Sequence, residues 1–85
     1  MYLGGTKGGP VRLRILLTLI KRPSNTNQLA KALGMDYTTI MYHMRVLEKN
    51  RMVVLEKRKY GSMYFLSPLL EKNSHLLQEM AENIG

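Results

Sequence analysis

The chain has 85 residues, enough for a single domain, and contains no cysteine, which excludes disulfides, cysteine-based zinc sites and thiol redox chemistry. Its net charge of +7 is unevenly distributed: residues 1–68 carry twelve Lys or Arg and three Asp or Glu, a balance of +9, whereas residues 69–85 carry one Lys and three Glu, a balance of −2. A role in solubility would explain the total net charge. The uneven distribution of the charge instead predicts a polyanionic partner for the first 68 residues.

Residues 1–9 are rich in glycine and are predicted to form a flexible arm. Pro10 suits the first position of a first helix, because its ring fixes a helical φ. The helix is expected to end before Pro23, since the residue before a proline disfavours the α region. Its apolar residues recur at helical spacing and predict a core-facing stripe: Val11, Ile15, Leu16, Leu19 and Ile20.

Two further helices follow in quick succession. Thr26 is the predicted N-cap of a short helix over residues 27–33, and Gly34 can take the positive φ that ends it. Asp36 is the predicted N-cap of a longer helix over residues 37–50. A short helix, a tight turn containing glycine and a longer helix are typical of a helix-turn-helix.

The third helix has an apolar face, formed by Ile40, Met44 and Leu47, and a face of hydroxyls, an imidazole and cations. Taken alone, this pattern also fits an ordinary amphipathic helix with a solvated polar face. A face of donors and positive charge nevertheless suits the major groove of DNA, where base edges and phosphates are contacted. The residues of this helix predicted to bind DNA are Tyr37, Thr38, Thr39, Tyr42, His43, Arg45 and Lys49.

After the third helix the apolar period changes to two, which predicts strands over residues 52–57 and 62–66. Gly61 permits the positive φ that a short hairpin loop requires. The predicted inward side chains are Met52, Val54, Tyr64 and Leu66. The tip of the hairpin is basic, and the residues predicted to contact the DNA backbone there are Lys57, Arg58 and Lys59.

A last helix is predicted from Pro68, capped by Ser67, to about Ile84. Its apolar residues recur every seven positions, a spacing typical of a seam between helices. The predicted homodimer interface consists of Leu69, Leu70, Asn73, Leu76, Leu77, Met80 and Ile84. The sequence leaves open the alternative that this stripe packs against its own domain.

The predicted fold class is therefore mainly α with a β-hairpin wing. Residues 10–66 are expected to form a winged helix-turn-helix that binds DNA, and residues 67–85 an additional C-terminal dimerisation helix. Residues 25–33, 36–50 and 59–68 closely resemble the ArsR-like winged helix-turn-helix transcriptional regulators, particularly the small archaeal ones.

The resemblance implies a regulator that binds double-stranded DNA, usually as a homodimer, with the helix from Tyr37 in the major groove and the wing over residues 57–61 on the backbone. The family commonly has glycine where Arg51 stands. Here Asn50 is expected to take the left-handed conformation instead, because asparagine tolerates it.

Catalytic and metal-binding patterns are missing from the sequence. Helix capping explains Asp36, the one aspartate, and neither a nucleophile motif nor a Gly-rich phosphate loop is found. The only histidines are His43 and His75, so metal sensing is not supported. We therefore expect no enzyme, no metal and no cofactor, and the sequence leaves a small-molecule effector unknown.

Three functions remain open at this stage. The favoured one is a sequence-specific regulator that binds double-stranded DNA, because Tyr42 and His43 lie beside hydroxyls that can contact base edges. The alternatives are a winged helix used as a protein-interaction module and a non-specific, chromatin-like DNA-binding protein. No apolar run approaches the roughly 18 residues of a spanning helix, so we expect no membrane partner and a cytoplasmic, nucleoid-associated location.

Overall fold

A computed structural model describes residues 9–59 and 61–84. Five helices and one hairpin follow in the order α1 (Gly9–Lys21), α2 (Thr26–Leu33), α3 (Tyr37–Lys49), β1 (Val53–Arg58), β2 (Gly61–Leu66), α4 (Pro68–Lys72) and α5 (Ser74–Ile84). The strands form a two-stranded antiparallel sheet. The predicted fold class, mainly α with a hairpin wing, is confirmed, whereas the predicted arm lies outside the described residues except for Gly9, which begins α1.

The core lies between α1, α2, α3, α5 and the inner face of the hairpin. Ile15 and Leu16 of α1 are fully buried against Leu29 of α2 and against Ile40 and Met44 of α3. Burying such aliphatic side chains is the main favourable contribution to folding. In the part of the chain that the structure describes, no helix combines the length and apolarity needed to cross a membrane.

Helix α2 begins one residue earlier than predicted. Asn25 is its N-cap, because Asn25 Oδ1 accepts from the Gln28 N–H and Gln28 Oε1 accepts from the Asn25 N–H, each at 2.8 Å. This reciprocal pair is a capping box. Thr26, the predicted N-cap, is instead a buried first-turn residue. Asparagine and threonine both cap well, and the glutamine three residues after Asn25 decides between them.

The turn and the start of α3 agree with the prediction. Gly34 follows α2 with φ 67° and ψ 35°, the left-handed conformation that ends a helix. Asp36 caps α3, and its Oδ2 accepts from the Thr39 N–H at 3.2 Å. The residue types in this turn therefore predict its backbone conformation and its helix cap correctly.

The end of α3 corrects the prediction for Asn50. That residue has φ −92°, and its side-chain N–H donates to the Val46 carbonyl at 2.8 Å. Arg51 takes the left-handed conformation instead, with φ 59°. Bonds from Arg51 N–H to the Glu48 carbonyl and from Met52 N–H to the Leu47 carbonyl complete a Schellman motif, in which the residue after the C-cap reverses the chain.

This strained position gives a stability prediction. A side chain in the left-handed region costs about 1–2 kcal/mol, and glycine avoids that cost while adding about 0.5–1 kcal/mol of chain entropy to lose. We expect Arg51→Gly to raise the free energy of unfolding by up to about 1 kcal/mol in urea denaturation. Asn50→Gly is the matched control. It should lower the free energy of unfolding, because the hydrogen bond from the Asn50 side chain to the Val46 carbonyl is lost. A destabilised Arg51→Gly variant would contradict this account.

The hairpin register places a different valine inward. Val53 pairs with Leu66 and Leu55 pairs with Tyr64, so these four side chains lie on one face of the hairpin, where Leu55 alone is exposed, at 42%. Val53 is 1% exposed and Val54 is 36% exposed, so the prediction for Val54 is wrong. The buried Met52 belongs to the Schellman turn and precedes the strand. An inward–outward alternation that starts at Met52 therefore predicts the wrong face for the residues of β1.

The C-terminal segment is two helices, not one. Asn73 separates them with φ −112°, and its side-chain N–H donates to the Leu69 carbonyl at 2.9 Å. Asn73 therefore caps α4 and is not a polar position of a continuous seam. Asparagine competes for local carbonyls in this way, which disfavours a helix interior.

Helix α5 packs against α1 of its own chain, which corrects the prediction for Leu77. Leu77 is 2% exposed and belongs to the core. Leu70 and Met80 are partly buried against the same core. Leu69 and Leu76 remain outside it, at 70% and 47% exposure, and the side chain of Ile84 lies outside the described residues.

Candidate nucleic-acid interface

The predicted DNA-binding residues of α3 divide into an outward group and an engaged group. The outward group is exposed, led by Tyr42 at 62%, and consists of Tyr37, Thr38, Tyr42, Arg45 and Lys49. The engaged group is Thr39 and His43. Contact of the outward group with DNA stays a prediction, but its members are placed where a partner can reach them.

Part of the outward group surrounds a shallow depression of about 330 Å³ lined by Tyr37, Thr38, Met41, Tyr42 and Arg45. The half-buried Met41 and the two tyrosine rings give this depression an apolar surface. Hydroxyls and one guanidinium surround it. A guanidinium can contact guanine with two bonds, hydroxyls can contact any base, and apolar atoms suit the thymine methyl group.

Thr39 has a structural task at the start of α3. Its hydroxyl donates to Asp36 Oδ1 at 2.6 Å, and its N–H donates to Asp36 Oδ2. The hydroxyl bond first, and the N–H bond after it, lower the pKa of the Asp36 carboxyl. The proton of the Thr39 hydroxyl is therefore committed to the helix cap and is not offered to a base.

His43 does not lie on the outward face, so its predicted placement is wrong. It is 7% exposed, and Arg12 Nη1 lies 3.2 Å from its Nδ1. Since an α-helix turns about 100° per residue, His43 is only about 40° around the helix from the buried Leu47. Burial, and after it the charge of Arg12, lower the pKa of His43 below 6.5. The imidazole is thus neutral at pH 7.

The wing presents its three cations at the exposed end of the hairpin. Arg58 Nη2 lies 3.1 Å from Glu56 Oε1, both side chains being about half exposed, and its guanidinium stacks 4.8 Å from the Phe65 ring centre. An exposed ion pair contributes about 0–1 kcal/mol. A phosphate can therefore replace Glu56 at little cost, while stacking keeps Arg58 along the hairpin.

The base of the wing is fixed to the helix-turn-helix. Ser24, in the turn between α1 and α2, exchanges two backbone bonds with Tyr64, at 3.2 and 2.9 Å. Tyr64 is buried, and this burial raises the pKa of its hydroxyl. The hairpin is therefore anchored at its base to the turn that precedes α2.

Between the wing and the first turns of α2 and α3 lies a cleft of about 340 Å³, lined in part by Asn27 and Ser62. The sequence interpretation missed both residues. A signal existed for Asn27, because the first turn of a helix offers N–H groups that favour phosphate. Ser62 had no such signal, since only the hairpin register brings it to the cleft. Within the described ranges, no three His, Asp or Glu side chains are grouped to hold a metal ion.

The chain was compared with known families and proteins. Residues 5–64 match the family model described as the N-terminal domain of the methanogenesis regulatory protein FilR1. A search of curated proteins found no significant match.

Several solved structures with the same fold are described as transcriptional regulators or repressors. A transcriptional regulator homologue from Pyrococcus horikoshii is 23% identical with a TM-score of 0.73, over 91% of this chain and 82% of that one. Mb0332 of Mycobacterium bovis, described as a homodimeric winged helix-turn-helix domain, is 24% identical with a TM-score of 0.72, over 84% and 67%. The adhesin competence repressor of Streptococcus pyogenes is 18% identical with a TM-score of 0.75, and this chain spans only 57% of its length.

Proposed function

This chain belongs to the family of the N-terminal domain of the methanogenesis regulatory protein FilR1, and we propose that it is a transcriptional regulator that binds double-stranded DNA sequence-specifically. In this proposal residues 10–66 are the DNA-binding domain. Helix α3 enters the major groove, and the wing over residues 57–61 lies on the backbone. The observation that carries the proposal is that the outward group of α3 and the three wing cations are all exposed, on two elements that line a common cleft.

Two features favour sequence reading over the alternatives. Non-specific, chromatin-like binding requires cations alone, whereas the depression on α3 adds two tyrosines, a threonine and a methionine to Arg45. A protein-interaction module would use an apolar patch at the same place, but the exposed cations of α3 and of the wing suit a polyanion. The sequence resemblance favours an archaeal type, and a role on DNA would place the protein in the cytoplasm at the nucleoid.

Enrichment of sequences from a random duplex pool, repeated at several salt concentrations, tests the proposal. We expect one motif to be enriched at every salt concentration, with total binding falling as salt rises. Binding without any enriched motif would support the chromatin-like alternative. No duplex binding at low salt would refute a role on DNA and favour the protein-interaction module.

We also propose that the protein is a homodimer through the exposed side of α4 and α5. Leu77 is removed from the predicted interface because it belongs to the core of its own chain. Leu69 and Leu76 are large, exposed aliphatic side chains on α4 and α5, in the segment whose charge balance is −2. A surface without excess cations is suited to a second copy, while the basic surface is suited to DNA.

Leu76→Glu and Leu69→Glu are expected to convert the protein to a folded monomer, because each places a carboxylate in an apolar contact. Sedimentation at tens of micromolar is the measurement. Leu55→Glu makes the same change at an exposed leucine of the wing and should leave the dimer intact. A monomeric wild type, or dimers in both variants, would contradict the proposal.

A further inference from the structure

A buried polar contact joins α1 to the inner side of α3. Arg12 and His43 are 31 positions apart in the sequence, and each is almost completely buried. Their sequence neighbours, Leu13 on α1 and Met44 on α3, belong to the buried hydrophobic core. A buried polar pair of this kind specifies one arrangement of two helices more strictly than apolar contacts do, because sliding would leave polar atoms unpaired.

The chemistry of the contact fixes the state of the imidazole. Arginine is always protonated and only donates, so the Arg12 guanidinium donates and His43 Nδ1 must accept. That requires a neutral ring with its proton on Nε2. A protonated ring has no acceptor and would bring a second positive charge beside Arg12 in a buried site.

The same ring touches the outward group. The rings of Tyr42 and His43 meet edge to face, with centroids 5.3 Å apart and planes at 68°. His43 therefore has one side against the guanidinium of α1 and another against the most exposed aromatic residue of α3.

We propose that Arg12 and His43 are positioning residues for DNA reading: their contact sets how α3 is rotated on α1, and therefore where Tyr42 points, and a proton on His43 breaks this setting. The inference rests on the proposed function. It assigns a role in specificity to two residues that do not face the DNA.

The charges around His43 give the direction of the pH dependence. Arg12 of α1 is the charged group that acts on it, and α2 and β1, which also pack against α3, contribute no such charge among the described residues. Because folding holds His43 neutral where the unfolded chain would protonate it, its contribution to stability is complete above about pH 6.5 and is lost as the pH falls toward the lowered pKa. Acid should likewise disfavour the DNA-reading arrangement.

The test measures the affinity ratio between a duplex selected from the random pool and its scrambled version from pH 7.5 to 5.5. Taking the ratio cancels the general gain in phosphate affinity at low pH. We expect the wild-type ratio to fall severalfold between pH 7.5 and 5.5, because protonation of His43 removes the acceptor that Arg12 uses. Circular dichroism at each pH confirms that the protein is folded.

Three variants separate positioning from mere structure. His43→Asn keeps an acceptor for Arg12 but does not titrate, so its ratio should stay near the wild-type value at pH 7.5 and be independent of pH. His75→Asn changes the exposed histidine and should keep the wild-type pH profile. Arg12→Met should lower the ratio by about tenfold already at pH 7.5.

A pH-dependent ratio in His43→Asn, or a constant ratio in the wild type, would overturn the inference. If Arg12→Met does not fold, His43→Asn still decides. A wild type that prefers no duplex at pH 7.5 would instead refute the proposed function itself, and with it the inference.

Discussion

Leu77→Ala is expected to lower the free energy of unfolding by about 2–5 kcal/mol, the usual cost of truncating a buried leucine. Leu77 is 2% exposed and belongs to the same core cluster as Leu16 and Leu19 of α1. Without its side chain a cavity remains where α5 meets α1. For a domain of 85 residues, whose total stability is only about 5–10 kcal/mol, this loss should appear as a large shift of the urea midpoint.

Leu76→Ala is the matched control, one residue earlier in the same helix but 47% exposed. It should change the free energy of unfolding of the monomer by less than about 1 kcal/mol. Far-UV circular dichroism in urea, at a protein concentration where both variants have the same oligomeric state, makes the comparison. Equal stability of the two variants would mean that α5 does not pack on α1 as described.

The wing and α3 should fail in different ways. Replacing Lys57, Arg58 and Lys59 together by alanine should weaken binding to all duplexes nearly alike, because phosphate contacts carry little sequence information. If each cation neutralises one phosphate, the log–log salt slope should become shallower by about 2.7 per subunit, and affinity near physiological salt should fall about a hundredfold per subunit. Fluorescence anisotropy across a salt series measures both quantities.

Tyr42→Ala should show the opposite pattern. It should reduce the preference for the selected duplex by about 1–3 kcal/mol while leaving the salt slope unchanged.

The control for the wing is a triple alanine replacement of Lys21, Lys31 and Lys72, which changes the net charge equally at exposed positions on other elements. If this control weakens binding as much as the wing variant does, total charge and not the wing carries the affinity.

Local patterns predicted the elements whose determinants are close in sequence. Gly34 and Asp36 mark the turn before α3, and the apolar stripe of α1 marks a core helix. The outward group of α3 was identified largely from its polar residue types. These features need no information from distant parts of the chain.

The errors arose where a second contact decided between two local possibilities. Asn25 and not Thr26 is the N-cap, because the Gln28 side chain accepts a hydrogen bond from the Asn25 N–H. Asn73 caps α4 and divides the segment that heptad spacing predicts to be one continuous helix. Histidine is a residue type that can contact DNA bases. The helical phase of His43 and its contact with Arg12, 31 positions away, nevertheless place its side chain in the interior of the domain.

The dimer seam shows the same limit. A leucine every seven residues fits a contact between copies as well as a contact with another helix of the same chain. The choice depends on whether α1 leaves room for α5, which only the three-dimensional packing decides. Leu77 lies inside, whereas Leu69 and Leu76, with the same chemistry, lie outside.

The central claim is that the outward group of α3 and the wing together read duplex DNA. Its most direct test is the affinity of the wild-type protein for the selected and scrambled duplexes across a salt series. With about four phosphates neutralised per subunit of a dimer, the log–log slope should be near −7 for the selected duplex, which should also bind more tightly at every salt concentration. A slope shallower than about −2, or equal affinity for the two duplexes, would contradict the claim.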